Sequence, residues 1–101
     1  SARIDLEITK NNLLKVVQQA YADALAAQSK YGAANKKVNA SRESFHYAEQ
    51  KIAVGMMTSY EYNESKKNLV KAESDLLQAR FDFIFKMKVL DFYMGRELTI
   101  L

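Results

Sequence analysis

Fourteen positions of this chain recur in strict 4-3 alternation: Leu6, Lys10, Leu13, Val17, Ala20, Ala24, Ala27, Tyr31, Ala34, Val38, Ser41, Phe45, Ala48 and Ile52. Twelve of the fourteen are apolar or alanine, which chance does not produce. A stripe with a 3.5-residue period keeps facing its partner only if the helix carrying it winds left-handed around that partner. Half of the chain is thereby committed to one long helix of a coiled coil. Little stands in its way: proline is absent, and the three glycines lie at positions 32, 55 and 95. Gly32 falls inside the stretch, costs about 1 kcal/mol relative to alanine, and marks a bend or a close helix approach.

The seam stops at Val54-Gly55-Met56-Met57-Thr58-Ser59. Gly55 suits the left-handed residue that ends a helix, with Met56 folding back over Ile52. Thr58 then fits an N-cap, Glu61 three residues on completes a capping box, and Met57 and Tyr62 occupy the hydrophobic-staple positions. A second apolar pattern runs from there to Tyr93, and Gly95 reads as a second helix stop. The expected fold is all-α, a long antiparallel two-helix coiled-coil hairpin. Its first helix covers about residues 3–54 and is roughly 75 Å long, its tip covers 55–58, and its second helix covers about 59–94. Folding about the tip sets Ile52 against Tyr62, Phe45 against Leu69, Val38 against Leu76, Ala27 against Met87 and Ala20 against Met94. The start of the first helix, Ile4 to Val16, then overhangs its partner.

A two-stranded coil needs only its seam, and this chain has more apolar surface than that. Leu14, Tyr21 and Leu25 lie beside the first seam; Val70, Leu77, Phe81, Ile84, Phe85 and Phe92 lie off the second. A helix apolar on most sides is buried on most sides, so the hairpin is expected to pack against further helices, from the same full-length chain or from copies of it.

Several functions lack the residues they require. The net charge of +3 comes from 15 basic and 12 acidic residues mixed along the chain; Lys66, Lys67 and Lys71 alternate with Glu64 and Glu73, so no one-signed face marks a nucleic-acid partner. There is no cysteine, hence no disulfide, thiolate chemistry or cysteine metal site. His46 stands alone, and a zinc or hydrolytic site needs convergent partners. The carboxylates Glu43, Glu49, Glu61, Glu64, Glu73 and Asp75 read as solvated helix faces with i,i+4 partners. The reading is therefore non-enzymatic, with no metal and no cofactor. No run of about twenty apolar residues exists to span a membrane. The Met56-Met57 pair serves either cap packing or an adaptable docking surface, and the residues alone leave both open.

In order and spacing, Val17–Ala27, Ala48–Ser59, Lys71–Ile84 and Val89–Leu98 resemble the C-terminal repeat of the TolC-type outer-membrane efflux protein family. The similarity covers nearly the whole chain, and the Val54-Gly55-x-x-x-Ser59 tip is its most specific part. The resemblance implies that the chain is a hairpin excised from a larger channel protein and belongs to a periplasmic α-helical barrel. It implies a trimer in the outer membrane of a Gram-negative bacterium, touching the membrane only through barrel strands absent from this chain. It implies export of small molecules with a tripartite pump, made with a periplasmic adaptor (membrane fusion) protein and an inner-membrane pump. By position, Gly55, Met56, Met57, Thr58 and Ser59 match the adaptor-docking tip, and Ile52, Met57, Glu61 and Glu64 match the channel entrance. Ile52 and Met57 replace the aromatic and basic residues of members with a polar latch, which implies an apolar constriction. The alternative is a generic coiled-coil scaffold or interaction module, which has no special use for Gly55 to Ser59.

Overall fold

A computed structural model describes the backbone of residues 1–100 and the side chains of residues 1–96. It contains two α-helices, α1 (Ala2–Ala53) and α2 (Ser59–Ile100), and no strand among the described residues. The chain is a helical hairpin. Its contacts divide it into two compact units, one made of residues 1–29 with residues from 81 onward, the other of Lys30–Arg80.

In the Lys30–Arg80 unit the buried and half-buried side chains of α1 are Tyr31, Ala34, Val38, Ser41, Phe45, Ala48 and Ile52, the positions that the heptad spacing selects. The α2 side presents Tyr62, Ser65, Leu69, Ala72, Leu76 and Ala79, again in 3-4 alternation, with Asp75 half buried beside them. Val38 is 0% exposed and Ala48 and Ala72 are 1% exposed. A register that sets Val38 opposite Ala72 and Ala48 opposite Tyr62 meets that burial, because a large residue on one helix then faces a small one on the other. The Phe45 and Tyr62 rings touch across the hairpin at 5.4 Å between centroids, tilted by 32°. This ring pair lies one heptad nearer the tip than the expected pairing of Phe45 with Leu69.

In the other unit, Ala20, Ala24 and Leu90 form one buried cluster, with Val17, Val89 and Tyr93 packed against it. Here the expected pairing changes. Met87 and Met94 are 38% and 47% exposed, while the seam positions Phe83, Lys86 and Tyr93 are half buried. The strict 3-4 period decides over hydrophobicity. A lysine can occupy a seam because its aliphatic stem packs while its ammonium stays in water, whereas a one-residue shift to reach Met87 would break the winding. At the N-terminal end Ile4, Leu6, Ile8 and Leu14 are exposed and Leu13 is half buried.

The second stop at Gly95 does not exist: α2 runs through it to Ile100. A glycine ends a helix when it turns left-handed, and Gly55 is the only glycine with positive φ. Gly32 likewise stays helical, and a Cβ added at Gly32 or Gly95 would meet nothing within 4 Å, so neither marks a close helix approach. Gly32→Ala and Gly95→Ala are therefore each expected to stabilise the hairpin by about 0.5–1 kcal/mol, read as a rise in the thermal unfolding midpoint.

Candidate functional site at the helical tip

The turn between the helices is built almost entirely by its own backbone. Gly55 has φ 75°. Its N–H donates to the Ile52 carbonyl at 3.2 Å, and the Met56 N–H donates to the Lys51 carbonyl at 2.8 Å. These two bonds are the paired closure of a helix end by a left-handed residue, and they satisfy carbonyls that α1 would otherwise leave open. Three residues later the next helix starts. The Glu61 N–H donates to the Thr58 Oγ1 at 3.1 Å and the Tyr62 N–H donates to the Thr58 carbonyl at 3.0 Å, which makes Thr58 the N-cap and Ser59 the first helical residue. Glu61 lies in the first turn of α2 and Lys51 in the last turn of α1, each where the helix dipole favours its charge.

The residues expected at a docking tip and a channel entrance fall into two settings. Ile52 and Met57 are half buried, with Tyr62, Met57's staple counterpart, half buried as well. Gly55, Thr58, Ser59, Glu61 and Glu64 are exposed, the two glutamates three residues apart on one side of α2. Met56 does not fold back over Ile52. It is 78% exposed, because the cap needs only its amide and leaves the side chain free to point outward.

Val54 and Tyr60 are also exposed at the turn, and Tyr47 about two helical turns back along α1; none of the three is among the expected site residues. The signal for them was present: none of the three falls on the seam, and an apolar residue off the seam has no partner within a two-helix coil. The turn therefore offers an apolar apex with an acidic flank.

The rest of the described surface brings no reactive groups together. His46 Nε2 lies 3.3 Å from Gln50 Nε2, an exposed pair one helical turn apart. Among the described residues no group of three or more His, Cys, Asp or Glu converges, and no helix is long and apolar enough to cross a membrane. An open, mostly apolar groove of about 310 Å³ in the first unit, lined by Val16, Asp23, Phe85 and Tyr93 among others, brings no reactive groups together. What the chain exposes instead is apolar: Tyr21, Leu25, Phe81, Phe85 and Phe92 in that unit, Val70 and Leu77 in the other. Exposed apolar surface on this scale marks an interaction surface.

No curated protein and no solved structure gives a significant match to the chain. A sequence model of the outer membrane efflux protein family matches residues 1–96, which includes both helices and the tip between them. That family is a non-enzymatic transport family of outer-membrane efflux channels, and this chain belongs to it.

Proposed function

We propose that this hairpin is the periplasmic tunnel and entrance segment of a trimeric channel exporting small molecules, and that its tip docks end-on to a periplasmic adaptor protein. The channel would sit in the outer membrane of a Gram-negative bacterium, and the adaptor would join it to an inner-membrane pump. The single observation that carries this reading is the tip itself. Two hydrogen bonds and a left-handed glycine hold Met56 outward at 78% exposure, where burying it would only improve an isolated hairpin. Gly55, Met56, Met57, Thr58 and Ser59 form the docking face. Ile52 and Met57, half buried under it, with Glu61 and Glu64 on the adjoining face, form the entrance, whose constriction is apolar. The exposed apolar flanks face neighbouring helices of the same barrel.

The test is a photo-reactive amino acid at position 56 of the full-length channel, expressed with its adaptor. A covalent adduct with the adaptor is expected from position 56 and not from the exposed mid-helix position Asn39. Active export with no adduct at 56 would overturn the docking role.

A further inference from the structure

The chain has four methionines, and the tip sets two of them apart from each other. Met56 is 78% exposed, against 38% for Met87 and 47% for Met94. Met57, its neighbour, is half buried at the staple position before Thr58. An accessible thioether is a target for two-electron oxidants, which convert a flexible apolar side chain into a polar sulfoxide.

We infer that Met56 is an oxidative modification site, the first methionine of this chain to react with hypochlorous acid, and that its sulfoxide weakens docking of the tip. The second half of this inference rests on the docking role proposed above. The chemistry balances without any group from the protein. The Sδ lone pair attacks chlorine, giving a chlorosulfonium ion and hydroxide; water oxygen then displaces chloride and sheds two protons, one of which the hydroxide takes up, so the net products are sulfoxide, chloride and one proton. Sulfur loses two electrons and chlorine gains them.

The geometry separates a change of surface from a change of fold. The bond that Met56 contributes to the α1 cap runs from its backbone N–H to Lys51, and oxidation at Sδ leaves it intact. The helices therefore persist while the apex turns from soft and apolar to strongly dipolar. A surface that binds by burying that side chain loses apolar burial and must desolvate a sulfoxide oxygen. At Met57 the same change would disturb the staple with Tyr62, but its sulfur is less accessible. Docking would itself cover Met56, so the reactive form is the undocked channel.

The experiment oxidises the full-length channel alone with limiting hypochlorous acid, quenches with free methionine, maps added oxygen by peptide mass spectrometry, and then adds untreated adaptor. Met56 is expected to be oxidised before Met57, Met87 and Met94, and severalfold more slowly when the adaptor is bound first. Adaptor capture should fall severalfold as Met56 is converted and return after treatment with methionine sulfoxide reductase. The double variant Met87→Leu/Met94→Leu should lose capture to the same extent, since neither residue lies at the tip. Oxidation of Met87 or Met94 as early as Met56 would overturn the site, and full capture by channel converted at Met56 would overturn its consequence. A channel that captures no adaptor even before treatment would sink the docking role instead, and the order of oxidation would still decide whether Met56 is the preferred site.

Discussion

Val38→Asp is expected to destabilise the hairpin by about 3–5 kcal/mol at neutral pH, the range for leaving a charge buried without a partner. Val38 is 0% exposed, and the described residues include no buried polar or charged side chain that could receive a carboxylate. The nearest polar seam residue on its own helix is Ser41, itself only half buried. Replacing valine also forfeits the apolar burial of its two methyl groups. For a protein whose whole stability lies in the usual range of about 5–15 kcal/mol, that loss is enough to open the seam around it. The effect carries a pH signature. Burial raises the folded-state pKa of the new carboxyl above its unfolded value of about 3.9. The charge penalty is therefore absent below the unfolded value and grows as pH rises to the folded one. Val38→Asn, similar in size and never charged, should lose a constant amount over the same range. Thermal unfolding followed by circular dichroism at pH 4 and pH 7 checks both. If the aspartate variant tracks the asparagine variant at both values, position 38 is not sealed from water and the seam is looser than its burial indicates.

The parts of this fold that were legible in the sequence are those fixed by period or by local backbone chemistry. The α1 seam from Leu13 to Ile52 could be read because one residue out of step would leave the stripe facing water. The tip could be read because Gly55, Thr58 and Glu61 each have a short-range task that depends on little beyond their neighbours. The structure departs from the sequence reading where context overrules residue type. Gly95 has the same chemistry as Gly55, but the chain keeps helical φ through it. Met87 and Met94 looked like better seam residues than Lys86 and Tyr93, yet the winding selects the latter pair. The usual contact at a capped helix end sets Met56 over Ile52, whereas its side chain is exposed. At the tip, the turn-forming positions are legible and the exposure of their side chains is not, because exposure depends on what else covers the apex. The surplus apolar faces were visible in the sequence as residues off the seam. The proposed place in a channel wall would give them a reason, since a helix there has neighbours on both sides.

Gly55→Val in the full-length protein is expected to reduce export severalfold while leaving the amount of channel in the membrane unchanged. Space is not the obstacle, because a Cβ at Gly55 would meet nothing within 4 Å. The obstacle is the backbone, which holds φ at 75°. There an L side chain crowds its own carbonyl at a cost of about 1–2 kcal/mol, and branching at Cβ restricts it further. That amounts to a factor of roughly 5–30 in the population of the native turn. The chain can relieve the strain only by letting φ turn negative, which breaks the Gly55-to-Ile52 and Met56-to-Lys51 bonds together and re-aims Met56. A docking face loses its geometry in that way, whereas the flanks of α1 and α2 keep theirs. The series separates backbone strain from side-chain size. Asparagine tolerates the left-handed region best after glycine, so Gly55→Asn should retain most export, Gly55→Ala should be intermediate and Gly55→Val lowest. Cross-linking from position 56 to the adaptor should fall in the same order. If Gly55→Val exports at the parental rate, the tip does not carry the docking. If Asn and Val fail equally, any side chain at the apex is intolerable and the left-handed backbone is not the reason.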